Sequence, residues 1–160
     1  MKCYRFVSLL VVLFFMATLT QAQNDPCTGS QYSTNAEFFR ASASGQSGDA
    51  TASKKKATIT ARTTITNQIK AKAEMAAKSQ SKFGSAEMTE FLDLVQMATQ
   101  QEAANLKVIC ENSQQTGGKY KTDVVVELSK AEVLGSIIEQ VKGDDKLKGI
   151  FEEGKFKQAF

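Results

Sequence analysis

Asp144-Asp145 and Glu152-Glu153 are the adjacent carboxylate pairs of this chain, and paired carboxylates can do acid–base work. Neighbouring residues on a helix point apart, so neither pair forms a dyad. Both read as solvated surface, and neither brings enough oxygen ligands for calcium. Ser79-Gln80-Ser81-Lys82 has the spacing of a serine–lysine nucleophile, but it closes a polar helix with no supporting base. Gly117-Gly118-Lys119-Tyr120 approaches a phosphate loop, lacks the upstream Gly and the following Ser or Thr, and reads as a turn. The chain contains no His, which removes the commonest metal ligand and the commonest general base at neutral pH. Zinc and c-type haem signatures need clustered Cys or His, and the three cysteines, Cys3, Cys27 and Cys110, are far apart. Catalytic residues, metal and cofactor are therefore all expected to be absent. A convergent buried lysine–carboxylate site in a cleft would reverse that reading.

Lys54-Lys55-Lys56 opens a basic stretch that continues through Arg62, Lys70, Lys72 and Lys78. A nucleic-acid arm would look like this locally, but the compartment argues against it. Met1–Arg5 carries Lys2 and Arg5, Phe6–Leu19 is almost unbroken apolar sequence, and Thr20-Gln21-Ala22 ends on a small residue. That is the layout of a secretory signal peptide, expected at 1–22 with a mature terminus at Gln23. The apolar run is shorter than the ~20 residues that span a bilayer. Cys27 follows Asn24-Asp25-Pro26, the wrong context for a lipid acceptor, and Cys3 lies too early, so lipidation is not expected while membrane association stays open. Removing 22 of 160 residues leaves 138, enough for one domain with a real core. It also takes two of the 20 basic residues and none of the 17 acidic ones, so the net charge falls from +3 to about +1. A nucleic-acid domain is usually net basic, and no nucleic-acid partner is expected. The lysines read as the solvated first turns of a helix. Export favours a disulfide between Cys27 and Cys110.

The elements follow from periodicity. Residues 23–36 are polar and read as an irregular leader. Glu37–Ser47 alternates, with Phe39, Ala41 and Ala43 on one side, and reads as a half-buried strand stopped by Gly45 and Gly48. Asp49 caps a long helix to about Ser81, whose thin stripe is Ala50, Ala57, Ala61, Ile65, Ile69, Ala73 and Ala76. Gly84 breaks it; Ser85 then opens a second helix with Phe91, Leu92, Val95 and Ala98 inward, ending near Ala104, and Met88 and Met97 read as core filler. Leu106, Val108 and Cys110 alternate before Gly117-Gly118, and Tyr120, Thr122, Val124, Val126 and Leu128 alternate after it, a hairpin whose loop is drawn as Gln114–Lys119. Ser129, three residues before Glu132, caps a third helix with Val133, Leu134, Ile137, Ile138 and Val141 apolar. Residues 143–160 form an amphipathic tail with Leu147, Ile150, Phe151 and Phe156, which either packs on the domain or holds a partner. The order β-α-α-β-β-α specifies an α+β two-layer domain over 37–142, with helices on a small antiparallel sheet.

Three segments, "FFRASASGQS", "ASKKKATITARTTITNQIKAKAE" and "GKYKTDVVVELSKAEV", resemble the LPP-twenty-like lipoprotein family of bacterial envelopes, in its Bacteroidetes-type versions. The strongest marks are Ala57 to Ala61-Arg62, the Ile65 and Ile69 continuation, and Gly118 and Tyr120 before Val124–Val126. The resemblance covers residues 38–141. It implies an α+β envelope domain, often attached to the outer membrane, with no enzymatic activity assigned. The chain departs from the family in lacking a lipidation cysteine in the right place. The expected function is a non-enzymatic exported envelope protein, periplasmic, secreted or outer-membrane associated, acting as a structural or interaction module on an envelope protein or on itself. The alternative is a carrier of a small apolar ligand or lipid held between sheet and helix.

Overall fold

The structure, a computed structural model, describes residues 26–160. The expected signal peptide and mature terminus lie outside the described residues. Three strands, β1 (Phe38–Ser47), β2 (Lys107–Thr116) and β3 (Lys119–Ser129), form one antiparallel sheet in the order β1-β3-β2. Four helices accompany it: α1 (Ala50–Lys78), α2 (Ser85–Glu102), α3 (Lys130–Gly143) and α4 (Glu153–Ala159). The architecture is α+β, as the periodicity requires.

Helix α1 covers the inner face of the sheet. Asp49 caps it, its carboxylate accepting from the Ala52 amide at 2.8 Å. The buried row is Ser53, Ala57, Ala61, Ile65, Ile69, Ala73 and Ala77, joined by Ala76. Its members are four residues apart, and such a row is inclined to the helix axis. The buried side therefore winds around α1. Along its length α1 packs on β1 and β3, and it also contacts α2 and α4. Ser53 replaces Ala50 at the head of the row: Ala50 is only half-buried, whereas the Ser53 hydroxyl meets Thr122 at 2.5 Å and donates to the Ala50 carbonyl at 2.8 Å. Ser113 reaches the same Thr122 hydroxyl at 2.6 Å, so three hydroxyls satisfy one another where helix and sheet meet.

Gly45 does not stop the strand. It is a buried member of β1, paired with Thr122. A Cβ on Gly45 would lie 2.1 Å from the Ser53 carbonyl oxygen and 2.6 Å from the Ala57 amide nitrogen. Only glycine allows the backbones of β1 and α1 to come this close.

The hairpin is tighter than the drawn loop. The strands stay paired to Thr116 and Lys119, and Gly117 and Gly118 alone turn the chain with φ of 58° and 76°. Positive φ at both central residues is what the twist-matched two-residue turn demands. Helix α2 starts with Gly84 as its cap and Ser85 inside its first turn, with no side-chain cap. Met88 packs on the core, but Met97 is 54 % exposed and fills nothing. Ser129 caps α3 by accepting from the Glu132 amide at 3.3 Å.

Residues 143–160 pack on the domain. Asp144 accepts from the Lys146 and Leu147 amides at 2.9 and 2.8 Å, and these bonds, the Leu147 one foremost, hold its carboxyl below the usual range. Leu147 and Phe156 are fully buried. Rings of Phe39, Phe160, Phe156 and Phe91 follow one another, with Phe83 and Phe151 both against Phe91, at centroid distances of 5.2–6.3 Å, bridging β1 to α2. Glu153 ties α4 to α3: Lys142 donates to it at 2.8 Å and Lys157 at 2.6 Å, pulling its carboxyl down to about 2.

Two outcomes are expected. Gly45→Ala should destabilise the fold by ~1–3 kcal/mol or more, the range for overpacking a tight contact. Gly48→Ala, where nothing lies within 4 Å, should be near neutral in the same denaturant titration. Because the Glu153 pKa is lower in the folded chain than its ordinary 4.5, its contribution is complete above pH 4.5 and lost as pH falls toward 2. Glu153→Gln should therefore reduce the acid-side loss of stability in thermal scans between those pH values.

Candidate functional site

The segments that could meet a partner are the two sheet edges, the outer sheet face and the wet side of α1. On the outer face, the segment Pro26–Asn35 is strapped across the strands. Its anchor is the disulfide between Cys27 and Cys110, with Cα atoms 5.5 Å apart. A bulge at Ile109 makes this pairing achievable. Val108 lies opposite Val126 and Cys110 opposite Val125, so the two residues face opposite sides of the sheet rather than sharing one, as simple alternation would have it. Val125, on the outer side, is completely buried beside the disulfide. Cys27 itself has a φ of 66°, uncommon for a side-chain-bearing residue and held by the cross-link.

Arg40 is the strap's second anchor. Its Nε and Nη2 both donate to Glu127 Oε2 at 3.0 Å, and its Nη1 donates to the Gln31 carbonyl at 2.8 Å. Arg40 and Glu127 are directly opposite in the register, and their side chains are only 16 % and 14 % exposed.

A cleft of about 260 Å³ opens beside the strap, lined by Cys27, Ser42, Ser44, Lys121 and Asp123 among others. Its one carboxylate, Asp123, is already engaged by the Ser44 hydroxyl and by Lys121 at 3.3 Å. Ser44, Lys121 and Asp123 thus meet in this cleft, but the Lys121 side chain is 54 % exposed, so the group is an open polar cluster and not a buried lysine–carboxylate site. Among the described residues, no three His, Cys, Asp or Glu side chains gather to hold a metal. The carboxylate pairs are split in space as well: Asp145 pairs with Lys148, Glu152 with Lys155 at 2.6 Å, and Glu153 with Lys142 and Lys157. Ser79 donates to the Ala76 carbonyl at 2.7 Å, closing α1.

The two edges differ. In an antiparallel ladder alternate residues turn their main-chain groups away from the partner strand. On β1 these are Phe38, Arg40, Ser42, Ser44 and Gln46; Phe38, Arg40 and the Gln46 carbonyl are covered, whereas among the described residues no side chain reaches the outward groups of Ser42 and Ser44. The Phe38 amide donates to Asn35 Oδ1 at 2.8 Å, and the Phe38 carbonyl accepts from the Asn35 amide at 3.1 Å. The Arg40 amide donates to the Thr34 hydroxyl at 2.9 Å, and its carbonyl accepts from Gln68 at 3.3 Å. The Gln46 carbonyl accepts from Lys56 Nζ at 3.1 Å. On β2 the corresponding residues are Glu111, Ser113 and Gln115. Among the described residues, none places a side chain on their outward main-chain groups. Asn112–Thr116 is also uncharged and largely exposed, without the lysine or proline that usually blunts an edge.

Of the residues singled out by sequence, Cys27 and Cys110 are brought together. Ala57, Ala61, Ile65, Ile69 and Ala73 form the buried row of α1, where they hold the core and line no site. Missed were Thr34, Asn35, Lys56 and Gln68, whose task exists only once β1 is an edge.

Comparison with family models, curated proteins and solved structures finds no match to this chain. The likeness to LPP-twenty-like proteins thus rests on the quoted segments alone.

The disulfide closes a loop with a sequence separation of 83. In the chain-entropy view such a loop is worth about 4.5 kcal/mol. Reduction, or Cys27→Ser with Cys110→Ser, should lower the melting temperature by about 10–15 °C, while the far-ultraviolet spectrum stays folded at low temperature.

Proposed function

We propose that the protein is an exported, non-enzymatic interaction module of the bacterial envelope, which takes an extended strand of a partner onto the edge of β2. The observation that carries this is the contrast between a β1 edge covered at Phe38, Arg40 and Gln46 and a β2 edge without such cover, uncharged over Asn112–Thr116. Strand addition uses main-chain bonds for affinity and alternate side chains for specificity. The disulfide supports the exported setting, since such bonds persist outside the reducing cytoplasm. The signal-peptide pattern expected at 1–22 and the resemblance of residues 38–141 to envelope proteins point the same way. Among the described residues, no helix is long and apolar enough to cross a membrane. The carrier reading has no comparable support. Phe39, Ile65, Ile69 and Val124 fill the space between α1 and the sheet and are at most 3 % exposed.

A photoreactive side chain at Gln115, on the free edge, should give one discrete cross-linked species in the native envelope. The same group at Gln46, on the covered edge, should give none. Ser113→Pro, which removes an outward amide, should abolish the adduct at 115. Equal labelling from both edges, or none from 115, would overturn the strand-addition reading.

A further inference from the structure

Up to Ala73, the wet side of α1 is charged in one sense only. Between Ala50 and Ala73 the helix carries Lys54, Lys55, Lys56, Arg62, Lys70 and Lys72 and no acidic residue. The next helix reverses this: α2 has Glu87, Glu90, Asp93 and Glu102 and no basic residue. A chain close to neutral overall therefore has a cationic side. Some of these cations are occupied. Lys54 pairs with Glu111 at 2.8 Å, and Lys56 covers the Gln46 carbonyl. Lys55 and Arg62 have no acidic partner among the described residues, and Lys70 interacts with Glu74 one turn on.

Lys55, Ile59 and Arg62 sit at i, i+4 and i+7, on the side of α1 turned away from the sheet. A shallow groove of about 320 Å³ runs between them, bounded also by Thr51, Lys54 and Thr58. Ile59 lies at its centre and is 55 % exposed, although the core had room for its apolar neighbours in sequence. A branched aliphatic side chain ringed by lysine and arginine is the pattern of a helix lying in a bilayer interface, with cations at the headgroups and the apolar residue just below.

We propose that this face of α1 docks on an anionic lipid surface. Charge complementarity selects an anionic partner, and the exposed Ile59 selects a bilayer over a nucleic acid, which gains nothing from it. The face also offers no exposed aromatic ring for stacking on bases. Each cation at an acidic membrane surface is worth about five-fold in partition, so the two unpaired ones, Lys55 and Arg62, give a preference on the order of 25-fold for anionic over neutral lipid.

The test uses the chain from Gln23, which holds every described residue, with vesicles of phosphatidylglycerol or of phosphatidylcholine. Co-sedimentation should occur with the former at low salt, be released by high salt, and be absent with the latter. Arg62→Glu and Lys119→Glu change the net charge equally. Arg62→Glu, on the face, should weaken binding at least ten-fold, whereas Lys119→Glu, at the hairpin, should leave it within about two-fold. Ile59→Asp should also weaken it, and circular dichroism should show each variant folded. No sedimentation with phosphatidylglycerol, equal losses in the two charge variants, or tight binding to duplex DNA without vesicle binding would overturn the proposal. These outcomes are independent of cross-linking at β2.

Discussion

The contact between Gly45 and the first turns of α1 is the constraint on which the rest of the structure depends. There the helix backbone lies against the strand backbone with no side chain between them. Along α1 the inward residues then grow: Ser53, Ala57 and Ala61 near Gly45, Ile65 and Ile69 farther on. The helix is thus wedged, close to the sheet at one end and separated from it by larger side chains at the other. This wedge sets where the second half of α1 emerges, and hence where α2 and the aromatic tail can pack. The polar cost of the close end is met by the hydroxyls of Ser53, Thr122 and Ser113, which find each other instead of water.

Much of this was legible in the sequence because the signals are local. Alternation in Phe39, Ala41 and Ala43, the Ala/Ile stripe, the caps at Asp49 and Ser129, and Gly117-Gly118 each specify an element through its own period or turn chemistry. What escaped was set by distant partners. Gly45 looks like a strand breaker until α1 is laid on it. Ser53 looks solvated until Thr122 is opposite. Cys110 looks like a neighbour of Val108 on one face until the bulge at Ile109 turns it to the other. The phenylalanine chain joins residues 39, 91 and 156, a relation no window of sequence contains.

The candidate surfaces were even less legible, because exposure and pairing are properties of the assembled sheet. Thr34, Asn35, Lys56 and Gln68 are ordinary polar residues in the sequence, and they become edge protection only when β1 has a free side. The same holds for Asn112–Thr116, where the telling feature is what does not cover it. If α1 rests on an anionic bilayer, the outer sheet face and its strap point away from the lipid, and the β2 edge lies to the side, open to a partner. The two proposed contacts are thus compatible in one orientation.

Amide hydrogen exchange of the isolated protein, resolved by residue, tests the asymmetry of the edges most directly. The amides of Phe38 and Arg40, held by Asn35 and Thr34, should be protected, while those of Glu111, Ser113 and Gln115 should exchange at close to the rate of open chain. Comparable protection on both edges, or fast exchange at Phe38 and Arg40, would contradict the assignment of β2 as the sheet's free edge.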